Sequence, residues 1–296
     1  MPRASSATIG GMLPGTAPGQ PTAADVRDLV REALPRERDL SVAPVDEGGE
    51  HSTWWVGGRY VLRIAPDADA SARQRRELAL RDALRPLLSV EVPASAASGS
   101  WAQGRAYTVD VRLPGVSAER RPVGPEGERD LARLLRVLRT ATAPPLPTAA
   151  PRTPDALGAA AGRALARLAA DGEIPGGLAV GATADPAPAA STALLHNDLK
   201  GEHLLVSAAG RVSGVLDWAD AVVGDPAEDV AGLALSVGAA AAARVAAAAG
   251  HARDVAERGL FLARCDTAVR LADRLYGDDD SPVPLLRAQL ARAWER

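Results

Sequence analysis

Three blocks within one stretch decide the fold: HNDLKGEHLLV at 196–206, VLDWAD at 215–220 and GDPAED at 224–229. The first block places an acid, Asp198, on a loop that follows a short apolar run. The second block ends another apolar run with a second acid, Asp217. Two carboxylates on neighbouring loops suit phosphoryl transfer from a nucleotide–metal complex, because that reaction depends mainly on positioning and on compensating charge.

The sequence around these blocks predicts short strands joined by turns. Residues 193–196 (ALLH) predict a short buried strand, and residues 203–206 (HLLV) predict a second one. A turn then leads into RVSGVLDW, so that the resulting hairpin ends beside the first loop. We therefore expect Asp198, His203 and Asp217 to converge.

In this order and at this spacing, the blocks resemble the core of the aminoglycoside phosphotransferase family. That core reads roughly His-x-Asp-x-x-x-x-Asn, then Ile-Asp-Trp, then Gly-Asp-Pro-x-x-Asp. The resemblance implies an α+β, two-lobed protein kinase-like fold, in which a small N-lobe has an antiparallel sheet and one long helix and a larger C-lobe is mostly helical. It implies a nucleotide-binding N-lobe at residues 21–108, a hinge at 109–115 and a C-lobe with the catalytic loop and acceptor site at 116–296.

The resemblance also implies roles for the three converging residues. Asp198 is expected to orient the acceptor hydroxyl and to accept its proton, with orientation mattering more because a carboxylate of ordinary pKa near ~4 is a weak base. Asp217 is expected to bind Mg²⁺ through oxygen. His203 stands where the family pattern has Asn, and Mg²⁺ prefers oxygen whereas imidazole suits softer metals. His203 is therefore either a metal or phosphate ligand or a structural histidine of the loop.

Four other residues of the blocks are expected to support the catalytic loop. His196 is expected to organise the loop by hydrogen bonds rather than to carry protons. Lys200, the single lysine of the chain, either contacts the transferred phosphate or points into solvent. Asp225 and Asp229 either brace the loop or serve only as helix-start carboxylates.

Three further acids are candidates for contact with the acceptor. Asp220 follows the second block, and Asp278 and Asp279 belong to an acidic run near the C-terminus. Such a run would attract a cationic substrate, or it is an ordinary solvated loop.

The N-terminal region predicts a tail followed by one helix. Residues 1–20 are rich in Gly, Pro, Ser and Ala without an apolar face, so a disordered tail is expected. Thr22 is a good helix N-cap, and the apolar residues after it recur at helical spacing. The expected buried face is formed by Val26, Leu29, Val30 and Leu34.

Alternating apolar residues and Gly-Gly pairs predict an opening hairpin between Leu40 and Ile64. Its turn contains Gly48, Gly49 and Ser52. Glycines let backbone amides approach phosphate oxygens closely. This turn either binds the nucleotide or is an ordinary hairpin turn.

The resemblance assigns the remaining nucleotide contacts to two strands and a helix. Arg63 takes the place of the phosphate-binding lysine, and its forked donors suit phosphate; alternatively it is a solvated arginine on an edge strand. Glu77 falls where a helix carboxylate would orient that cation, or it is an ordinary surface acid. Backbone groups of Val109, Asp110 and Val111 would hydrogen-bond the purine.

Composition limits the other possibilities. A formal net charge of −3 without a basic stripe argues against a nucleic-acid binder. A single cysteine, Cys265, excludes an internal disulfide framework and a Cys-based zinc site. The most apolar run is interrupted by Arg244 and is too weak for a membrane span, and no signal peptide is recognisable. We expect a cytoplasmic protein, monomeric or homodimeric.

The leading hypothesis is a phosphotransferase that uses Mg²⁺ with ATP or GTP. It would move the γ-phosphate to a hydroxyl of a small molecule, in the first place an antibiotic such as a cationic aminoglycoside. Two alternatives keep the fold: a metabolite kinase of the choline, homoserine or sugar type, and a non-catalytic nucleotide-binding pseudokinase.

Overall fold

A computed structural model describes residues 20–38, 40–45, 52–142, 144–181 and 192–295. The chain divides into two compact units. Of the described residues, the first unit contains those up to Asp82 together with Pro93–Arg112, and the second contains Ala83–Val92 together with those from Leu113 onward. The segment Ala83–Val92 thus belongs to the second unit, whereas the predicted N-lobe ran without a break to residue 108.

The first unit is built on an antiparallel sheet of five strands in the order β1-β2-β3-β5-β4. The strands on either side of the predicted turn pair antiparallel, although residues 46–51 of that turn lie outside the described residues. A second hairpin follows and turns tightly at Gly57, which has a φ of +55°. The strands are β1 (Val42–Pro44), β2 (Ser52–Val56), β3 (Tyr60–Ile64), β4 (Ser95–Trp101) and β5 (Arg105–Val111).

The first helix, α1 (Ala23–Ala33), begins directly after Thr22, as predicted. The Thr22 hydroxyl accepts a hydrogen bond from the Asp25 N–H at 3.2 Å, and the Asp25 carboxylate accepts one from the Thr22 N–H at 2.8 Å. This reciprocal cap fixes the start of the helix. The predicted apolar face of α1 is buried in one core cluster with residues of the sheet, and this cluster includes Val26, Leu29, Val30, Val56, Leu62 and Val109.

A long helix, α2 (Ala68–Leu84), follows β3. The other helices belong to the second unit, where α5 packs against α6, α7 and α8. They are α3 (Pro125–Thr140), α4 (Pro154–Ala170), α5 (Ala227–Val237), α6 (Ala239–Ala249), α7 (Arg253–Tyr276) and α8 (Val283–Ala293). None of the helices in the described ranges combines the length and apolar character that crossing a membrane requires.

Two small antiparallel sheets in the second unit carry the sequence blocks. One has the order β6-β8-β9, and the other pairs β7 with β10. The second predicted strand begins one residue late, because His203 closes a short 3-10 turn (Gly201–His203). The strands are β6 (Val116–Ser117), β7 (Ala193–Leu195), β8 (Leu204–Val206), β9 (Val212–Val215) and β10 (Val222–Gly224).

Candidate active site

The loop after β7 is held in an uncommon backbone conformation. Asn197 has a φ of +66°, in the left-handed region that a non-glycine residue adopts only at some energetic cost. Asn tolerates this region better than most residues, and Asn197 is the single asparagine of the chain. The Asp229 carboxylate, in the first turn of α5, accepts hydrogen bonds from the backbone N–H groups of His196 at 3.0 Å and Asn197 at 2.7 Å. Asp229 therefore braces the loop.

His196 connects this loop to the end of β9. Its Nε2 lies 2.9 Å from the carbonyl oxygen of Leu216, so Nε2 carries the hydrogen, and its Nδ1 accepts the N–H of Asp198 at 3.2 Å. Complete burial lowers the pKa of His196 to about 4. A neutral imidazole with a fixed tautomer fits the predicted organising role.

The acids of the third block are each bound by a different partner. Asp225 accepts hydrogen bonds from Nε and Nη2 of Arg258, both at 3.0 Å, and from the N–H of Ala227 at the start of α5. Glu228 pairs with Arg152 at 3.2 Å, and burial raises the pKa of Glu228. Neither arginine was predicted from the sequence. The only feature of the sequence that pointed to Arg152 and Arg258 was the close spacing of the carboxylates, which need cationic partners when they are buried.

Asp198, His203 and Asp217 converge as predicted. His203 Nδ1 lies 2.9 Å from the Asp198 carbonyl oxygen and 3.4 Å from Asp198 Oδ2. His203 Nε2 lies 3.8 Å from Asp217 Oδ2. Asp217 itself has a φ of +55°, a second left-handed residue in the site. The imidazole of His203 thus stands between the two carboxylates.

The side chain of Lys200 does not simply point into solvent, and its predicted contact with the transferred phosphate stays a prediction. Its Nζ lies 2.6 Å from Asp198 Oδ1, which makes it the ion-pair partner of the candidate catalytic acid. One oxygen of Asp198 is therefore bound by an ammonium group, and the other faces His203. A charge-assisted contact of this length fixes the carboxylate more firmly than a neutral hydrogen bond would.

The side chains near Asp217 supply only some of the ligands that a Mg²⁺ ion needs. In the parts of the chain that the structure describes, no three His, Cys, Asp or Glu side chains lie close enough together to hold a metal ion by themselves. A Mg²⁺ ion that is bound with a nucleotide needs only one or two protein ligands, since phosphate and water supply the others. The Asp217 carboxylate fits this requirement, whereas the imidazole of His203 suits Mg²⁺ poorly.

The catalytic loop is also supported from β6 and α8. The carbonyl oxygen of Gly201 accepts hydrogen bonds from the Ser117 hydroxyl at 2.9 Å and from the Ala118 N–H at 3.0 Å. A side chain at Gly201 would overlap the carboxylate of Glu119. That carboxylate pairs with Arg292 of α8 at 2.8 Å. Nothing in the sequence predicted this contact, because its partners are far apart in the chain.

In the first unit, Arg63 and Glu77 form the predicted ion pair. Their side chains meet at 2.9 Å, with Arg63 15% exposed and Glu77 fully buried. β3 lies between β2 and β5, so the alternative of an arginine on an edge strand is wrong. The alternative of an ordinary surface acid is wrong for Glu77. The contact of Arg63 with phosphate stays a prediction.

The side chain of Asp110 has a structural role that we did not predict. Arg81 binds it through two nitrogens, at 3.0 and 3.2 Å, and the Ser95 hydroxyl also donates to it. The N–H of Val111 donates to the carbonyl oxygen of Ala94 at 2.8 Å, so this donor is already engaged within the unit. Val109 is fully buried in the core. A purine contact through these backbone groups stays a prediction.

The other predicted site residues differ in their surroundings. Gly48 and Gly49 lie outside the described residues, and the hydroxyl of Ser52 accepts a hydrogen bond from the Trp54 indole at 2.9 Å. The Asp279 carboxylate accepts a hydrogen bond from the N–H of Ser281 at 2.6 Å and lies 4.0 Å from Arg270 Nε. These contacts hold the loop between α7 and α8. Asp220 and Asp278 are exposed.

Comparison with known proteins gives a consistent result. Residues 41–262 match the model of a phosphotransferase enzyme family. Viomycin phosphotransferase from Streptomyces vinaceus is 42% identical over 74 residues, which cover 24% of this chain. An uncharacterized protein of Bacillus subtilis, YcbJ, is 50% identical over 38 residues, or 13% of this chain. The matches span 26% and 12% of these two curated relatives.

Solved structures match over most of the chain. The GDP complex of aminoglycoside 2'-phosphotransferase-IIIa has a TM-score of 0.65 at 17% identity, and the match covers 92% of this chain and 99% of that one. The macrolide 2'-phosphotransferase MphH from Brachybacterium faecium has a TM-score of 0.56 at 23% identity, with 91% and 98% covered. At such low identity these matches concern the fold alone, and they confirm the predicted kinase-like fold.

Proposed function

Since this chain belongs to the phosphotransferase enzyme family, we propose that it transfers the γ-phosphate of ATP or GTP to a hydroxyl group of a small molecule. The observation that carries this proposal is the environment of Asp198, whose carboxylate lies 2.6 Å from the ammonium of Lys200 and 3.4 Å from the imidazole of His203. A carboxylate held by an ammonium group and an imidazole suits a reaction that depends on orientation and charge.

In the proposed reaction, the acceptor hydroxyl hydrogen-bonds to Asp198. Its oxygen forms a bond to the γ-phosphorus, the bond from that phosphorus to the bridging oxygen breaks, and the nucleoside diphosphate leaves with the bond electrons. The hydroxyl proton passes to the Asp198 carboxylate, which favours transfer as the attack proceeds. Asp217 would hold the divalent cation, with Mg²⁺ as the expected ion, and a bound cation supplies positive charge to the phosphate oxygens.

The first unit would bind the nucleotide. The Arg63 guanidinium, held by Glu77 at 2.9 Å, offers fixed charge and forked donors for phosphate oxygens. The buried carboxylate limits the rotamers of the arginine, so less side-chain entropy is lost when phosphate binds. The solved structures that this chain resembles include GDP, ADP and ATP complexes, so both donors need to be tested.

An antibiotic is the proposed acceptor class. The support is the resemblance to viomycin phosphotransferase together with fold matches to aminoglycoside and macrolide phosphotransferases. Asp220 and Asp278 are exposed acids, and they are the proposed contacts of a cationic acceptor. The proposed setting is the cytoplasm, where nucleotide is supplied, and the proposed form is a monomer or homodimer.

The decisive experiment measures release of ADP or GDP in the presence of Mg²⁺. The acceptor panel contains aminoglycosides, macrolides, viomycin, choline, homoserine and simple sugars, and mass spectrometry detects the phosphorylated product. Asp198→Asn should abolish product formation, because it removes the acceptor's charged partner. Asp28→Asn, which changes an exposed acid of α1 outside the site, is the control and should leave turnover unchanged.

The possible outcomes separate the alternatives. A phosphorylated antibiotic supports the proposal, whereas turnover with choline, homoserine or a sugar alone indicates a metabolite kinase. Thermal stabilisation by nucleotide without any turnover indicates a pseudokinase. Turnover that survives in Asp198→Asn would overturn the assignment of Asp198.

A further inference from the structure

Leu199, the residue between Asp198 and Lys200, is held by a side chain of α5. Leu199 is buried, and its carbonyl oxygen accepts a hydrogen bond from the Ser236 hydroxyl at 2.7 Å. A buried backbone oxygen is costly to leave without a donor. The position of Leu199 therefore depends on the Ser236 hydroxyl.

The Ser236 hydroxyl is itself fixed by its own helix. Its oxygen also lies 2.8 Å from the carbonyl oxygen of Gly232, one turn earlier in α5, and the serine is buried. The hydrogen of the hydroxyl is thus shared between a carbonyl oxygen of the helix and one of the catalytic loop. A serine that bonds back to its own helix in this way keeps one rotamer, so the loop is bound to a fixed point.

Gly232 allows α5 to come this close to the loop. A β-carbon at this position would lie 3.1 Å from the backbone nitrogen of Leu199 and 3.3 Å from its carbonyl carbon and oxygen. Carbon atoms that are not bonded pack best at ~3.5 to 4.0 Å. A side chain at Gly232 would therefore push the loop backbone away from the helix.

The two contacts of α5 act on the middle of the ion pair in the site. Asp198 precedes Leu199 and Lys200 follows it, and their side chains meet at 2.6 Å. Asp229 holds the loop only before Asp198, through the N–H groups of His196 and Asn197. A displacement of Leu199 would consequently move the carboxylate and the ammonium group together.

We propose that Gly232 and Ser236 are positioning residues for the reaction, because they seat Leu199 on α5 and so set the orientation of Asp198 and Lys200. The inference rests on the proposed function, since it concerns the acid that would orient the acceptor hydroxyl. Misplacing a reacting group by ~1 Å can cost ~10²-fold in rate. The expected effect is therefore on turnover rather than on nucleotide binding.

The first test compares turnover in two variants that act on Leu199 in opposite ways. Ser236→Ala removes the hydrogen-bond donor, and Gly232→Ala adds a methyl group against the loop backbone. In each variant kcat for the best acceptor should fall about 10-fold or more, while KM for the nucleotide changes little. Ser236→Thr keeps a hydroxyl and should have a higher kcat than Ser236→Ala.

Two controls make the same chemical changes outside the site. Thr267→Val removes a buried hydroxyl that donates to the carbonyl oxygen of Ala263 in its own helix, α7, at 2.8 Å. Gly162→Ala adds a methyl group on α4 where no other atom lies within 4 Å. Both controls should keep the wild-type kcat, so a loss confined to the α5 variants is not an effect of general stability.

The second test reads the position of Lys200 without any turnover. Lys200 is the single lysine of the chain, so acetylation of a lysine by acetic anhydride is assigned to it by peptide mass spectrometry. An ammonium group held by a carboxylate reacts slowly, because the amine must leave its partner and lose a proton before it attacks. The rate of acetylation should rise in Ser236→Ala and Gly232→Ala and stay at the wild-type value in Thr267→Val and Gly162→Ala.

The outcomes are separable from those of the proposed function. Lack of turnover in the wild-type protein would count against the proposed function, whereas the acetylation rates would still test the positioning. A wild-type acetylation rate in both α5 variants, or an equal loss of kcat in the α5 variants and the controls, would overturn the inference. If one α5 variant does not fold, the other decides.

Discussion

The single lysine of the chain bonds to the candidate catalytic acid, and this gives a clear test at the residue scale. Lys200→Met removes the ammonium that lies 2.6 Å from Asp198 Oδ1. Loss of one charged donor at a reacting centre typically costs about 10²-fold in turnover. We expect kcat for the best acceptor to fall by roughly that factor, while the affinity for nucleotide, measured by thermal shift, changes little.

Lys200→Arg is the matched control, since it keeps the charge and a donor near Asp198. It should recover part of the lost turnover. Equal kcat for wild type and Lys200→Met would show that the ion pair has no part in catalysis.

His196 should stay uncharged far below the range in which histidine normally titrates. Burial lowers its pKa to about 4 from an ordinary value near 6.5. The unfolded chain therefore takes up a proton at this residue as the pH falls from about 6.5 to 4, and the folded state loses up to about 3 kcal/mol of stability over that window.

A second buried group opposes this loss. Burial raises the pKa of Asp229 to about 7, so its contribution to stability is present at low pH and lost as the pH rises from about 4 to 7. The stability contributions of His196 and Asp229 change in opposite directions with pH. A measurement of the free energy of unfolding against pH would therefore not resolve either contribution. NMR of the imidazole nitrogens should instead show His196 as the Nε2–H tautomer with a midpoint near pH 4. A midpoint above pH 6 would contradict this.

At the scale of the elements, a buried ionic network joins α2 to β5. Arg81 binds Asp110 at 3.0 and 3.2 Å and lies 3.7 Å from Glu77, which itself holds Arg63. Arg81→Met would leave the Asp110 charge buried without its partner. Breaking a buried pair in this way costs about 3 to 5 kcal/mol.

We expect the free energy of unfolding, measured with urea, to fall by that amount in Arg81→Met. Arg76→Met is the matched control, because Arg76 lies on the same helix but is exposed. It should change stability by less than about 0.5 kcal/mol. A similar small change in Arg81→Met would mean that the network does not stabilise the first unit.

These elements also show what the sequence can predict. α1 was predictable because its signals are local: Thr22 caps it, and Val26, Leu29 and Val30 repeat at helical spacing. The convergence of Asp198 and Asp217 on His203 was predictable because a short hairpin joins the two acids. The partners of Asp110 and Asp225 were not, since Arg81 and Arg258 are 29 and 33 residues away in the chain and tertiary packing alone selects them.

At the scale of the whole molecule, one contact that supports the site comes from a helix outside the residues that the family model matches. The family model matches residues 41–262, whereas α8 begins at Val283. Yet Arg292 of α8 binds the Glu119 carboxylate at 2.8 Å and the carbonyl oxygen of Leu235 at 2.9 Å. Glu119 in turn lies against Gly201 of the catalytic loop. The C-terminal helix therefore supports the loop from outside the matched stretch.

Arg292→Ala should consequently lower turnover without removing any group of the reaction itself. It leaves the Glu119 carboxylate unpaired beside the catalytic loop, and we expect kcat to fall about 10-fold through misplacement of Asp198 and Lys200. Arg287→Ala is the matched control, because Arg287 of the same helix pairs with Glu173 near the surface. Arg292→Lys should restore part of kcat if the charge is what matters. If Arg292→Ala and Arg287→Ala reduce kcat equally, α8 acts only through general stability, and the loop does not depend on this ion pair.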